Sequence, residues 1–332
     1  MRLRRRDLFG FGGGLGVAAG LASASHWWHR TRVEPSAVNA NASADCAQEA
    51  QAGAYGERYM PPDEIRAGHL EACHTPPPRR QTADLLSVTW PVIETSLEVA
   101  RGQRLNTWAY NGTVPGPVLR ATVGERVQVR IDNRTARPHN LHFHGSHDVN
   151  ADGLERIAPG TSREYAFEAG PFGLHPYHCH VPPYAWHIGR GLYGAFIVDP
   201  PGGRPPAHEY VLVLGGFDTD GDGVNDVYAW NGIAGYYARY PLKVPVGERV
   251  RLYIVNMVEL DPLAGFHLHA QTFDLFRSGT SLTPHEHTDV VTLGPAERAI
   301  VEFTLPRRGR YMFHPHQSRM TERGAMGFIV AV

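Results

Sequence analysis

The chain has 332 residues, 42% of them hydrophobic, and a formal net charge of −1. That length allows two domains with ordinary cores. The near-zero charge leaves no basic field for nucleic acid or an anionic membrane surface.

At the N-terminus, Arg4-Arg5-Arg6-Asp7-Leu8-Phe9 precedes a Gly- and Ala-rich, weakly apolar run, and Ala22-Ser23-Ala24 fits an A-x-A cleavage site. Residues 1–24 read as a Tat-type signal peptide, a route for folded, cofactor-loaded proteins, with an uncleaved anchor or a basic N-terminus as the alternative. A periplasmic or secreted location follows. The run is too short and Gly-rich for a spanning helix, and no stable membrane insertion is expected after cleavage. Residues 25–85 are polar, contain Pro76-Pro77-Pro78, and read as an N-terminal arm or linker. Cys46 and Cys73 lie in this arm and either pair in an oxidising compartment or stay unpaired. His26, His29, His69, His74 and, further on, His208 are expected to be solvent-exposed.

From residue 86 the pattern is that of strands. Gln128-Val129-Arg130-Ile131 and Arg251-Leu252-Tyr253-Ile254 alternate polar and apolar residues, and 36 Gly and 26 Pro punctuate at short intervals. No long 3.6-residue periodicity competes. The segment also repeats itself. Val123-Gly124-Glu125-Arg126-Val127 recurs as Val246-Gly247-Glu248-Arg249-Val250, Asn111-Gly112 as Asn231-Gly232, and Gly191-Leu192-Tyr193-Gly194 as Gly324-Ala325-Met326-Gly327. The prediction is an all-β protein of two Greek-key β-sandwich domains, 86–200 and 207–332.

Histidines carry the chemistry. His142-Phe143-His144, His178-Cys179-His180, His267-Leu268-His269 and His314-Pro315-His316 are four His-x-His pairs. On a strand, residues i and i+2 face one side, so each pair presents two imidazoles to one point. Eight imidazoles exceed the four ligands of one zinc and suit about three copper ions. Cys179 is a soft thiolate donor between two of them, and a His2Cys set with a weak or absent axial ligand is a blue-copper pattern. His139 and His187 are the imidazoles expected to join Cys179. The second repeat has Pro315 where the first has Cys179 and Ala325 where the first has Leu192, so only the first domain can hold a blue copper.

Other residues attract weaker readings. Asp218, Asp220, Asp222 and Asp226 sit in a D-x-D-x-D-G run that resembles a calcium loop, but Ala229 stands at its twelfth position instead of Glu, and a solvated acidic loop is the alternative. His285 and His287 form a further His-x-His beside Pro284, suited to a surface or channel. His147 and His175 lie close to ligands and either orient them or are simple loop residues. Asp152, just after the first His-x-His motif, and Glu322, just after the last, are the candidate proton-relay carboxylates, with a turn or surface acid as the alternative for each.

With all four motifs in place, the segment from about residue 86 to 332 resembles the multicopper oxidases, specifically their two-domain, laccase-like members. His139-Asn140-Leu141-His142-Phe143-His144 is similar to that family's HPxHLH motif. His178-Cys179-His180 with His187 and Leu192 is similar to its HCHxxxHxxxxL/M/F motif, with three extra residues around Pro182 to Tyr184. The resemblance implies cupredoxin domains and four coppers per chain. The type 1 copper would be held by His139, Cys179 and His187, with Leu192 in the axial, non-donating position. The type 2 copper would be held by His142 and His267, and the type 3 pair by His144, His178, His180, His269, His314 and His316. Electrons from a small-molecule reductant, phenolic, aromatic or similar, would enter at Cys179 and reach the cluster through His178 and His180, where O2 becomes water. The resemblance further implies a homotrimer in which domain 1 of one subunit faces domain 2 of the next; a monomer closing on itself is the alternative. Two other functions stay open. Copper nitrite reductases share two cupredoxin domains but have Asp at the position of His142, a non-ligand at that of His180 and an axial Met. A non-catalytic copper-binding protein should have lost ligands, and none is missing. Only six Met and no Met-rich insert argue against a cuprous-ion oxidase.

Overall fold

Alternation dictates the first sheet. Along Arg126–Asn133 every second side chain is buried, with Val127, Val129, Ile131 and Asn133 inward, as a strand with one face on a core requires. The computed structural model describes residues 57–65, 74–80, 85–145 and 147–332. Within these, strands β1 (Leu86–Ala100), β2 (Gln103–Tyr110), β4 (Arg126–Asn133) and β6 (Ser162–Glu168) form one sheet in the order β2-β1-β4-β6. Strands β3 (Leu119–Thr122), β5 (His142–Phe143), β7 (Gly173–His178) and β8 (Tyr193–Asp199) form the facing sheet, β3-β8-β7-β5. Between them lies a core of Trp90, Trp108, Tyr110, Phe143, Tyr177 and Phe196 that also encloses Cys179 and Leu192.

The second half repeats this plan. Strands β9 (His208–Phe217), β10 (Val227–Trp230), β12 (Arg249–Asn256) and β17 (Arg298–Thr304) run in the order β10-β9-β12-β17, extended by β14 (Phe273–Arg277) and β15 (Glu286–Thr288). Strands β11 (Leu242–Val244), β13 (Ala264–Leu268), β18 (Gly309–His314) and β19 (Gly327–Ala331) run in the order β11-β19-β18-β13, with β16 (Val290–Leu293) added at the edge. Each β1-type strand pairs parallel with its β4-type neighbour, β1 with β4 and β9 with β12. The internal repeat is therefore a repeat of topology, and the chain is all-β as expected.

A third buried cluster joins the halves. Val99, Leu105, Leu174 and Tyr193 pack on Val211, Val213, Val255 and Ile300. Beside it runs a buried charge network: Arg120 binds Asp199 and Glu209, and Arg251 binds Glu209 and Glu302. The arm's described stretches lie against this body. Arg101 N–H donates to the Met60 carbonyl, Arg120 to that of Pro77, and Arg80 pairs with buried Glu125. His74, expected in solvent, is half-buried, hydrogen-bonded at 3.0 Å to Tyr237 Oη and stacked on its ring. The export-signal segment, Cys46 and Cys73 lie outside the described residues.

Candidate metal centre

Two features of the chain converge on Cys179. One is the His139–Leu141 segment entering β5; the other is the short helix α1 (Tyr184–Gly189), which carries His187. His139, Cys179 and His187 are all buried. His187 Nδ1 lies 3.3 Å from Cys179 Sγ and 3.2 Å from His139 Nδ1. Three donor atoms thus face one point. Burial pushes the Cys179 thiol up to about 11, although the backbone N–H groups of Asn140 and Val181 favour the thiolate. Burial, with the neighbouring His187, holds His139 down to about 3; burial, with Arg137 and Arg156, holds His187 down to about 4. Neutral imidazoles are what a metal needs, and a coordinated cation deprotonates a thiol outright. Among the described residues His139 Nε2 is buried without a hydrogen-bond partner, and Nδ1 is the nitrogen that faces His187. Trp108 packs on both rings, at centroid distances of 4.9 and 5.0 Å. Leu192 is fully buried in the same cluster, and its carbonyl accepts from Cys179 N–H. It offers no donor atom, so His139, Cys179 and His187 would be the residues that hold a metal here.

The remaining imidazoles form two matching groups. In domain 1, His142, His144 and His178 offer nitrogens within 4.8 Å of one another. His142 sits opposite His178 in the β5–β7 register, and the Nε2 atoms of His144 and His178 are 3.0 Å apart. His180 adds its ring 5.4 Å from that of His142. In domain 2, His267, His269 and His314 group likewise, with His269 and His314 Nε2 2.9 Å apart and His316 5.3 Å from His267 by ring centroid. Facing Nε2 atoms at hydrogen-bond distance on neutral rings suit a shared cation. Burial first, then neighbouring imidazoles, depress His144 to about 3, while burial holds His178 at about 4 against a hydrogen bond to the Cys179 carbonyl. Among the described residues, no group combines imidazoles of the two domains.

The outer nitrogens are held in place by the same repeat. His178 Nδ1–H donates to the Cys179 carbonyl at 3.0 Å, and His314 Nδ1–H to that of Pro315 at 2.6 Å. His142 Nδ1–H donates to the Asp152 carbonyl and His267 Nδ1–H to the Asp289 carbonyl, both at 2.8 Å. Such contacts fix ring orientation and leave Nε2 for the metal. Asp152 also brings Oδ1 to 3.2 Å from His142, and Asp289 brings Oδ2 to 3.9 Å from His267.

Several expectations need correction or addition. Glu322 is exposed and forms no hydrogen bond or ion pair among the described residues. In helix α2 (Tyr236–Arg239) and helix α3 (Ser318–Glu322) the chain makes only short turns, and α3 turns Met320 and Thr321 inward, leaving Glu322 outward. Thr321 Oγ1 instead lies 3.2 Å from His314 Nδ1. The domain 2 carboxylate beside the imidazoles is Asp289. Its relation to Asp152 was hidden because β14 and β15 intervene before it. Asn140 is also new: its Oδ1 accepts from His180 N–H at 2.6 Å, tying the two motifs together. In the acidic loop, Asp218, Asp220 and Asp226 come together but Asp222 does not. Loop amides occupy these carboxylates: Gly221 and Gly223 donate to Asp218, and Thr219 to Asp226. His285, just before β15, and His287, within it, are exposed, with His287 bound to Asp274 and Thr272. His147 Nε2–H donates to the Phe143 carbonyl, and buried His175 Nε2–H to that of Pro171.

Comparison with known proteins agrees with this geometry. A family model described as multicopper oxidase matches residues 92–203, and a second of the same description matches 205–331. A copper-containing nitrite reductase of Neisseria meningitidis serogroup A is 29% identical over 264 residues, covering 72% of this chain and 68% of the relative. A crystal structure described as a multicopper oxidase superposes with a TM-score of 0.73 at 41% identity, covering 75% of this chain and 89% of that one. The copper nitrite reductase of Nitrosomonas europaea superposes at 0.69 with 30% identity, covering 75% and 94%.

Proposed function

Because the chain belongs to the multicopper oxidase family, an oxidoreductase family that uses copper, we propose that it is a laccase-like oxidase with four coppers per chain. In this reading it oxidises a small phenolic, aromatic or similar reductant and reduces dioxygen to water. His139, Cys179 and His187 hold the entry copper. His142 and His267 hold one cluster copper, and His144, His178, His180, His269, His314 and His316 hold the pair. When bound, copper supplies single-electron acceptance at the first set and four-electron reduction of dioxygen at the second.

The observation that carries this reading is the doubled imidazole set: eight imidazoles in two matching fours, with none replaced. The chain's own residues supply the rest. Cys179 is bonded covalently to His178 and His180, and the His178 ring returns a hydrogen bond to the Cys179 carbonyl, a short path from sulfur to cluster. Asp152 and Asp289 each stand beside an imidazole, where a carboxylate can relay protons to the site of oxygen reduction in this reading. The two fours group separately within one chain, which supports a head-to-tail homotrimer whose clusters lie between subunits. The Tat-like N-terminal sequence supports a location in the periplasm or outside the cell.

A second reading is a copper nitrite reductase, favoured by the relatives of Neisseria meningitidis and Nitrosomonas europaea. Oxygen uptake with 2,6-dimethoxyphenol, set beside nitrite consumption and a copper count, decides between them. Four coppers with oxygen uptake is expected; two coppers with nitrite turnover would replace the oxidase reading.

A further inference from the structure

Helix α1 does more than carry His187. Its outer side forms one wall of a cavity of about 460 Å³ whose other wall is the acidic loop of domain 2. Leu105 and Trp186 line it from domain 1; Asp218, Glu259 and Leu260 line it from domain 2, with Arg190 at the side. Trp186 connects this cavity to the entry site. Its indole stands edge-on to Trp108 at 4.7 Å and to His187 at 5.5 Å. A molecule in the cavity is thus one aromatic ring from a Cys179 partner.

The charges within it are unequal in their freedom. Arg190 is already engaged: its guanidinium donates to the Asn106 carbonyl and lies 5.7 Å from the Trp186 ring. Arg137 also lies over that ring, at 4.9 Å, so a ligand's positive charge would not be met by the indole. Glu259 is different. Its carboxylate is half-buried and has no hydrogen bond or ion pair among the described residues. Burial raises its pKa, the cost of a carboxylate without a partner, which a bound cation would relieve. Asn225 donates to the Glu259 carbonyl at 2.6 Å and so holds this residue against the loop. The next residue, Leu260, adopts a left-handed φ of 70° with half its surface exposed to the cavity mouth. An aliphatic residue held so is strained, and strain of this kind is kept where the surroundings impose it.

We propose that this cavity binds the reductant and that Glu259 selects an aromatic cation over an aromatic anion. Apolar and aromatic walls take the ring, and the unpaired carboxylate takes the charge. The assignment rests on the oxidase reading for the fate of the electron, though not for the binding itself. Four donors each lose one electron, together with a proton where the donor is a phenol or an ammonium; one dioxygen takes the four electrons and four protons, drawn from the donors and the solvent, and leaves as two waters.

Phenyltrimethylammonium, an aromatic cation that is not oxidised under these conditions, tests the binding in the full chain by titration calorimetry, with benzenesulfonate as the anion. The cation should bind and benzenesulfonate should not. Glu259→Gln should weaken cation binding about tenfold, the loss of one charge-assisted contact of roughly 1.4 kcal/mol. In turnover, the ratio of kcat/KM for N,N-dimethyl-p-phenylenediamine to that for ferrocyanide should fall by a similar factor in the same variant, with the circular dichroism of the wild type retained. Equal binding of the two ions, or an E259Q variant that binds the cation as the wild type does, would overturn the proposal. Glu259-dependent cation binding in a protein that takes up no oxygen would support the cavity assignment while ending the oxidase reading. Oxygen uptake without cation binding would end the cavity assignment alone.

Discussion

At the scale of residues, the entry site of the proposed oxidase would be set by what Leu192 lacks. A thioether in its place would donate axially and stabilise the oxidised ion, and axial ligation tunes such potentials. Leu192→Met should therefore lower the reduction potential while the blue absorption persists; redox titration checks this, and a raised potential would show that Leu192 does not lie on the axis. Cys179→Ser should remove the blue band and the turnover together, because both depend on the sulfur; oxygen uptake that survives this change would mean that electrons enter elsewhere. The buried imidazoles also set a pH response. His139 and His144 are held at about 3, and His178 and His187 at about 4, in each case by burial first. Their folded values lie below the unfolded value of about 6.5, so below that pH the unfolded chain binds the extra protons. Stability is fully present above about pH 6.5 and is lost as pH falls towards 4, by up to about 1.4 kcal/mol per unit for each group. The melting temperature of the metal-free chain should fall across that window, and a flat profile would contradict the burial of these rings.

At the scale of elements, the turn after β5 matters as much as the strand. Gly153 has φ +79°, and a Cβ there would come within 1.9 Å of the Leu141 carbonyl oxygen. Only glycine allows the Asp152 carbonyl to approach the His142 ring. Gly153→Ala should push this turn away, freeing His142 to rotate. We expect lower cluster copper and slower oxygen uptake with the blue band kept, read by metal analysis and absorption together. Full cluster loading in this variant would show that the Asp152 contact does not position His142. The repeat explains why the second domain reaches the same result differently. There, β16 brings Asp289 beside His267, with β14 and β15 inserted between.

At the scale of the molecule, the junction between domains depends on buried charge. Arg120 is 7% exposed, forms a double contact with Asp199 and reaches Glu209. Removing one partner of a buried pair leaves the other uncompensated and costs about 3–5 kcal/mol. Arg120→Leu should lower the unfolding free energy by that order in chemical denaturation; a change below about 1 kcal/mol would show that water already screens the network. Assembly offers a separate check. Light scattering of the copper-loaded protein should report a trimer, and dissociation should release the cluster coppers before the blue one. A fully active monomer would exclude shared clusters.

The sequence alone determined the all-β class, the repeat and the imidazole inventory, since strand periodicity and His-x-His spacing are local properties of neighbouring residues. Val129 and Ile131 face inward because alternation requires it, and His142 and His144 share a side for the same reason. Tertiary structure decided what depends on distant segments meeting. The Asn140 bond to His180, the placement of Asp289 instead of Glu322, and the separation of Asp222 from its neighbours all follow from turns whose direction no local pattern encodes. The cavity at Glu259 belongs to the same class. Leu105 and Trp186 are apolar residues of domain 1, and Glu259 is one of many acids in the chain. Only the packing of one sandwich against the other leaves that carboxylate half-buried in a cavity it shares with an aromatic ring, without a partner among the described residues.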